Sequence, residues 1–523
     1  MFRRCAPPRH RTLPVLALFL AGVLAVAGCR LAVEQATSGA DAGVTEGGVL
    51  RIGDSGDLTP ASLYAGAPAQ TMITGLVYDT LIRYPADSLK PQPALATSWQ
   101  VSPDGLTVRL TLRNGVTFHD GRPFTSEDVR FSLTTYANPA RAGQLARTAA
   151  LITAYDTGDP HAITLRLAQP VGNFFDLLDL VPIIDRNTMA DFDAGRGYNG
   201  TGAFRFTGWK PGASITFAAN KNYWKGPPHL NGVEYVIVPD VQTQVAQLRT
   251  GQLDLLWSIA PRDADALTAR TRLKVVKQTG VTHNWYIGAN VRAPGLGDVR
   301  LRRAIAYAVD RDRILHDIYQ GHGTVASLPW PQYSPAFDAG LNSTYGYDVS
   351  RARALVAEIG TVPTIPIAYT TGSLDTEAVA QIVQADLAAA GIRTTLQPMD
   401  YAATLEHLIR GTYEGLWITA HTYTQYTPAT LPTGAFPFNA QKNASNFVDA
   451  EYRRAVDTAW HTVDPNGTEA EAAYRVLNTE LLDNAFVIEL FNNENELAMT
   501  PALHGLKWSK KSELDLSEAY LGR

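Results

Sequence analysis

Cysteine is almost absent from this chain of 523 residues: its two cysteines, Cys5 and Cys29, both lie in the first 29 residues. The rest of the chain therefore has no disulfide bond, no cysteine metal site and no cysteine nucleophile. The sequence also lacks a Gly-x-Ser-x-Gly element, a Ser-x-x-Lys paired with Lys-Thr-Gly, and a His-Glu-x-x-His motif. These absences argue against a secreted hydrolase. We predict that the protein is not an enzyme and holds no resident metal or cofactor.

The N-terminus carries four arginines before a short apolar run at residues 13–27. That run is shorter than the roughly 20 apolar residues that span a bilayer. A basic start and a short apolar core are typical of a secretory signal peptide, here residues 1–28. Residues 24–29 read Leu-Ala-Val-Ala-Gly-Cys, which resembles a bacterial lipobox and implies a lipidated Cys29. The alternative is a plain signal peptide with a chance cysteine.

The residues that follow are small and polar, so we expect 29–48 to form the lipidated cysteine and a flexible tether. The whole chain has a net charge of −5, and the predicted signal peptide holds four arginines and no acid, which leaves −9 after cleavage. Nucleic-acid binding needs clustered basic residues, so a nucleic-acid partner is not expected. No second apolar run is long enough to cross a membrane.

Hydrophobic periodicity predicts an α/β protein. Strand-like residues at 364–370 and 394–398 flank a helical pattern that Asp375 would cap, which is a βαβ unit. Alternation at 106–113 predicts a half-buried strand, and the following Asn-Gly predicts a hairpin with a return strand from Val116. Asp298 is positioned to cap a further helix. A chain of this length needs more than one core, so we expect more than one lobe.

Ordered motifs along the chain resemble the dipeptide, oligopeptide and nickel solute-binding proteins of ABC importers, known as solute-binding family 5. The resemblance covers almost all of the chain after the tether. In order, residues 93–99 match P-x-L-A-x-S-W, 112–129 match the family's hairpin and helix start, 200–204 resemble G-T-G-P-Y with Ala203 for proline, 220–224 match N-x-x-Y-W, 250–254 resemble S-G-x-x-D, and 298–310 resemble V-R-x-A-I-x-Y-A-I-D.

This resemblance implies a two-lobed clamp like the type II periplasmic binding proteins, with an extra domain inserted in the N-terminal lobe. We expect that lobe at 49–290 with the insertion at about 90–200, the C-terminal lobe at 291–488, and a return segment at 489–523. The resemblance also implies an extracytoplasmic, lipid-anchored monomer that closes on a solute and delivers it to the permease subunits of an ABC importer.

In peptide-binding members of the family, a loop aspartate before proline pairs with the peptide ammonium. The corresponding stretch here is 416–428, where Thr427 precedes the proline, and no aspartate occurs between Asp400 and Asp449. No histidine occurs between His421 and His461, which weakens a nickel interpretation. A peptide-like solute remains the first hypothesis. A non-peptide solute (an opine, a sugar-like molecule or a metal chelate) and a ligand-loaded sensor remain alternatives.

Candidate ligand-binding residues lie in the loop and at the ends of strands, where polar side chains can face a cleft. They are Ser55, Asp57, Asn284, Trp285, Trp417, His421, Tyr423, Tyr426, Asn492 and Asn493.

Overall fold

The computed structural model describes residues 44–65, 68–141, 143–371, 374–422 and 426–522. The predicted signal peptide, Cys29, most of the tether and Tyr423 lie outside these ranges. Among the described residues, no helix combines the length and apolarity that crossing a bilayer requires.

The strands of the described residues are short except for two, and they are numbered in chain order. They are β1 Val49–Asp54, β2 Ile82–Arg83, β3 Gln92–Pro93, β4 Ala96–Val101, β5 Thr107–Leu112, β6 Ile152–Asp159, β7 Ala162–Leu167, β8 Phe204–Lys210, β9 Ser214–Ala219, β10 Gly232–Ile237, β11 Leu255–Leu256, β12 Lys274–Ala289, β13 Thr324–Val325, β14 Ile365–Thr370, β15 Thr394–Met399, β16 Leu416–His421, β17 Val487–Met499, β18 Leu503–His504, β19 Lys507–Trp508, β20 Leu514–Asp515 and β21 Tyr520–Leu521.

The helices are mostly of two to four turns. They are α1 Pro68–Val77, α2 Ser126–Tyr136, α3 Ala146–Ala149, α4 Phe174–Leu180, α5 Met189–Asp193, α6 Val241–Arg249, α7 Pro261–Arg270, α8 Val299–Ala308, α9 Arg311–Tyr319, α10 Ala339–Asn342, α11 Val349–Ile359, α12 Leu374–Ala389, α13 Tyr401–Arg410, α14 Thr430–Gly434, α15 Ala450–Trp460 and α16 Thr468–Asn484, with short 3-10 helices at Pro60–Ala65 and Pro139–Arg141.

One mixed sheet runs through both lobes. Its strand order is β15-β14-β16-β12-β17-β11-β1-β10-β9-β8, with β13 paired to β17. The long strands β12 and β17 pair with each other at both of their ends. One half of this pair adjoins β11 and the N-terminal lobe, and the other half adjoins β16 and the C-terminal lobe. The fold is therefore an α/β clamp whose two lobes share their central strands.

Each lobe has its own hydrophobic core. In the N-terminal lobe, buried residues of β1, β9 and β10 pack beneath α1. In the C-terminal lobe, α8, α12, α15 and α16 pack around β12, β14 and β16. The predicted lobe boundaries at 290 and 489 fall at the end of β12 and close to the start of β17.

A separate antiparallel sheet of order β4-β5-β7-β6 lies within the stretch predicted as an insertion and has a core of its own with α2 and α4. The predicted strand at 106–113 is confirmed as β5, which alternates buried and exposed residues. The return strand predicted from Val116 is wrong, since only an isolated bridge joins Thr117 to Pro123. Strands β4 and β7 already occupy both edges of β5, so no edge is left for a hairpin partner.

The predicted βαβ unit is confirmed as β14, α12 and β15, with the two strands parallel. The side chain of Asp298 caps α8 by accepting a hydrogen bond from the backbone of Arg300, as predicted. Asp375 lies in the first turn of α12 and does not precede the helix, so that predicted cap position is wrong. An acidic residue in the first turn still interacts favourably with the helix dipole.

The connection between the lobes is irregular at two places. The pairing of β12 with β17 shifts register between Trp285 and Tyr286 and, over a longer gap, between Lys277 and Thr282. Gly280 in this gap has φ of +85°, and a Cβ there would lie 1.8 Å from the backbone oxygen of Ala86. A side chain at this position would therefore strain the backbone and clash with a loop of the N-terminal lobe.

We predict that Gly280→Ala lowers the melting temperature clearly more than Gly212→Ala. Gly212 has a similar φ of +69° but nothing within 4 Å of an added Cβ, so it carries the backbone strain without the clash. Thermal unfolding of the two variants measures the difference. Equal losses of stability would contradict a close packing role for Gly280.

Candidate functional site

A cavity of about 120 Å³ lies between the lobes. Its walls come from four parts of the chain: the segment after β1 with α1, the inserted domain, the loop after β16, and the C-terminal segment. The lining residues are Leu63, Tyr64, Thr71, Thr74, Tyr136, Gln144, Leu180, Pro182, Thr422, Tyr426, Lys511 and Glu513.

Tyr426 is the predicted site residue that the structure places on this cavity. Its side chain is 1% exposed and packs in the core of the inserted domain, although the residue belongs to the loop after β16. The loop after β16 therefore extends from the C-terminal lobe into the cavity wall formed by the inserted domain. Within the part of the chain that the structure describes, the Tyr426 hydroxyl has no hydrogen-bond partner.

Trp417 and His421 lie on β16 inside the C-terminal lobe. Trp417 stacks on Tyr413 with ring centroids 4.4 Å apart and is 1% exposed. His421 Nε2 lies 3.1 Å from Glu489 Oε1, and both side chains are buried. Neither residue is among those that line the cavity.

Four further candidates lie on the two crossing strands. Asn284 donates to Asn492 at 2.6 Å, and Trp285 stacks on Phe491 with centroids 6.0 Å apart. Asn492 and Asn493 line a second cavity of about 550 Å³ beside the register shift.

Ser55 and Asp57 follow β1 but do not line the cavity between the lobes. Ser55 is exposed. The Asp57 carboxylate accepts hydrogen bonds from Trp209 Nε1 at 2.8 Å and from the backbone of Gly212 at 2.7 Å. It therefore ties together two parts of the N-terminal lobe.

Sequence reasoning missed most of the cavity wall, including Tyr64, Thr71, Tyr136, Lys511 and Glu513. Tyr64 lies on the 3-10 helix that follows the predicted candidates Ser55 and Asp57, so the segment was identified but not the residue. Lys511 and Glu513 lie beyond the last long strand. No local motif distinguishes them, and their role depends on where the return segment packs.

A buried carboxylate joins the inserted domain to the C-terminal lobe. Asp176 on α4 accepts hydrogen bonds from Thr427 N at 3.1 Å, Thr427 Oγ1 at 2.8 Å and Thr430 Oγ1 at 2.6 Å. Tyr84 of the N-terminal lobe donates a fourth at 3.1 Å. Burial raises the pKa of Asp176 to about 6, while these hydrogen bonds oppose the shift. All four partners are donors, an arrangement that favours the ionised carboxylate.

Asn173, one turn before Asp176, extends this contact. It donates to Thr430 at 3.2 Å and accepts from Trp460 Nε1 at 2.9 Å. The backbone of Gly172 also donates to the Trp460 carbonyl at 2.7 Å. We call the set Asp176, Asn173, Thr427, Thr430 and Trp460 the lobe latch.

The charged groups of the cavity wall neutralise one another. Glu513 accepts from Lys511 at 2.8 Å and from Arg83 at 2.6 Å, and Ser509 donates to the same carboxylate at 3.1 Å. Burial alone would raise the pKa of Glu513, but the two cations outweigh it and lower that pKa to about 2. Among the described residues, no cluster of three or more histidine, cysteine and acidic side chains could hold a metal ion.

A family model places this architecture among known proteins. The model for "Bacterial extracellular solute-binding proteins, family 5 Middle" matches residues 90–443. The chain belongs to the family 5 bacterial extracellular solute-binding proteins. It therefore belongs with binding proteins that act outside the cytoplasm, and the family predicted from the motifs is confirmed.

Relatives of this family 5 protein bind different solutes. The chain is 25% identical to the oligopeptide-binding protein AppA of Bacillus subtilis over 98% of both chains. It is 29% identical to di/tripeptide-binding protein 2 of Pseudomonas aeruginosa over 65% of this chain and 69% of that one. The structure of AgaA from A. tumefaciens R10 with agropinic acid aligns with a TM-score of 0.79 at 23% identity, covering 91% of this chain and 99% of that chain, which supports the fold alone.

We predict that Thr427→Val with Thr430→Val opens the clamp, because Asp176 loses two hydroxyl donors while it stays buried. Each lost hydrogen bond to a buried charge costs about 1.5–3 kcal/mol. Small-angle scattering should show a larger radius of gyration, together with a lower melting temperature. Thr433→Val is the matched control, since its hydroxyl bonds only within its own segment. An unchanged radius in the double variant would show that the latch does not hold the lobes.

We also predict that Glu513→Gln removes a pH-dependent part of the stability. A carboxylate with a lowered pKa stabilises the fold above its ordinary pKa of 4.5, and this stabilisation is lost as the pH falls from about 4.5 to about 2. Wild type should exceed the variant by about 3 kcal/mol at pH 7, and the difference should shrink at pH 3. Denaturant unfolding at both pH values measures it. Glu518→Gln is the control, because its pair with Lys507 is exposed; a pH-independent difference for Glu513→Gln would contradict the assignment.

Proposed function

We propose that this protein captures a small polar solute, with a peptide-like molecule as the first candidate, and delivers it to the permease subunits of an ABC importer. The observation that carries the proposal is the cavity enclosed by residues of both lobes. A solute that contacts both walls stabilises the closed form, and a permease can recognise that form. Two relatives whose names state that they bind peptides support this choice of solute. They align with 98% and 65% of this chain.

The proposal includes a lipid anchor on Cys29 and a monomer held at the outer face of a membrane. The basic and apolar N-terminal residues and the sequence before Cys29 support it. The tether would let the clamp reach a permease while the acyl chains retain it. The inserted domain and both lobes would then bind the solute together.

A non-peptide solute is a second candidate. The position before the loop proline is Thr427, and its backbone and hydroxyl both donate to Asp176. Both donors of Thr427 are thus bound within the protein, and this position carries no carboxylate that could accept from a peptide ammonium. An opine-like molecule is one such solute that we include, because AgaA, which shares this fold, holds agropinic acid in its structure.

Solution scattering tests the proposal. The full chain should become more compact when a tryptic peptide digest or a mixture of opines and sugars is added, because a bound solute closes the lobes. A host strain lacking the gene should lose uptake of the same class of solute, and Cys29→Ala should move the protein from the membrane fraction to the soluble fraction. Uptake that is unchanged in the deletion strain, with no compaction by either mixture, would refute the proposal.

A further inference from the structure

A histidine with a carboxylate at each ring nitrogen lies on the second cavity, beside the longer register gap. His322 Nδ1 is 2.8 Å from Glu496 Oε1, and His322 Nε2 is 3.4 Å from Asp265 Oδ1. The Glu496 side chain is buried, whereas 21% of the His322 side chain is exposed. The ring can therefore exchange protons with solvent while it contacts a buried charge.

The histidine belongs to the C-terminal lobe. His322 lies in the turn between α9 and β13, where its backbone donates to the Tyr319 carbonyl at 2.8 Å. Two residues later, Thr324 pairs with Asn492 of β17. A Cβ on the intervening Gly323 would lie 2.6 Å from the Asn492 carbonyl oxygen, so this turn packs closely against β17. The ring is thus fixed to the half of β17 that pairs within the C-terminal lobe.

Both carboxylates belong to the other side of the gap. Glu496 is paired with Lys277, the last residue of β12 before the gap, on the half of the strand pair that adjoins the N-terminal lobe. Asp265 lies on α7, whose buried Leu267 shares a hydrophobic core with residues of α6 and β11. The two contacts of His322 therefore connect the lobes at the point where the strand pairing between them is interrupted.

Only the protonated ring suits two carboxylates. A neutral imidazole has one N–H and one lone pair, so one of its nitrogens would direct a lone pair at a carboxylate oxygen. The imidazolium carries N–H groups on both nitrogens and attracts both acids. A movement of the lobes across the gap would carry the ring away from Asp265 and Glu496. Protonation of His322 therefore favours the arrangement of the lobes in this structure.

The other charges around the ring do not replace this contact. The charged residues that line the same cavity are Asp87, Lys277, Glu494 and Glu496. Lys277 Nζ lies 3.8 Å from Glu496 Oε1, but these two residues lie on one side of the gap, so their attraction does not join the lobes. On the helix before the ring, His316 and Asp317 pair with each other at 3.0 Å. The acids outnumber the lysine on this cavity, which also favours a positive ring.

We propose that His322 is a pH-sensitive contact between the lobes: its protonated ring holds them together through Asp265 and Glu496, and loss of the proton weakens that hold. Histidine side chains change charge between about pH 5 and pH 8. The contact is complete at the acid end of this range and is lost as the pH rises through it. The proposal concerns the clamp itself and applies to any solute.

Distance measurements between two spin labels test the proposal on the full chain without solute. The sequence has no cysteine after Cys29, so Cys5→Ala with Cys29→Ala leaves only introduced cysteines to carry labels. Val241→Cys on α6 and Val476→Cys on α16 place one label on each lobe, because these side chains are 44% and 53% exposed. The fraction of molecules with separated lobes should rise about threefold from about pH 5.5 to about pH 8. An equal fraction at both pH values overturns the proposal.

Variants in the labelled chain then assign the effect to this ring. His322→Gln should abolish the pH dependence, because glutamine has the same donors and acceptor at every pH. His316→Gln is the matched control and should keep it, since that ring is 86% exposed and faces Asp317 of its own helix. Asp265→Asn, at a side chain that is 59% exposed, should reduce the pH dependence without loss of the fold. An unchanged pH dependence in His322→Gln or in Asp265→Asn, or its loss in His316→Gln, overturns the proposal.

Discussion

The paired strands β12 and β17 constrain every other part of the clamp, because their hydrogen bonds continue from one lobe into the other. Two lobes joined by loops alone could separate or slide. In a shared strand pair the interruptions of the pairing are the least constrained points, and here they lie between Trp285 and Tyr286 and in the gap between Lys277 and Thr282. Gly280 lies in this gap in a conformation that other residues rarely adopt. The shared sheet therefore constrains how the two lobes lie against each other, and the second cavity lies beside its longer interruption.

Polar contacts around the buried Asp176 carboxylate also join the lobes in this structure. The lobe latch places one carboxylate, Asp176, against hydroxyls and a backbone amide of the opposite lobe. These hydrogen bonds require precise geometry, because a misplaced donor would leave the buried Asp176 carboxylate without a hydrogen-bond partner. They define one closed arrangement of the lobes. Because the same loop also carries Tyr426 into the cavity wall, the latch and the binding surface are set by the same few residues.

The sequence predicted the parts of the fold that depend on local patterns. The unit β14, α12 and β15 and the cap at Asp298 follow from periodicity and from side-chain chemistry within a few residues. The prediction of a hairpin after β5 was wrong, because turn propensity does not indicate which strands pair with the two edges of β5. Trp417 was selected for its place in the family loop, and the structure places it in a core stacked on Tyr413.

The sequence by itself determined the family and the α/β class, because ordered motifs and hydrophobic periodicity can be read directly from the linear chain. It also predicts an N-terminal signal peptide for export. Only the tertiary structure decided which side chains meet between the lobes. The wall of the cavity brings together Tyr64, Tyr426 and Glu513, which are far apart in the sequence. No local sequence pattern around any one of them indicates the other two. The charges of the cavity wall are paired because Arg83 and Lys511 pack against Glu513, and the pairing of Arg83 with Glu513 across distant segments is a property of packing alone.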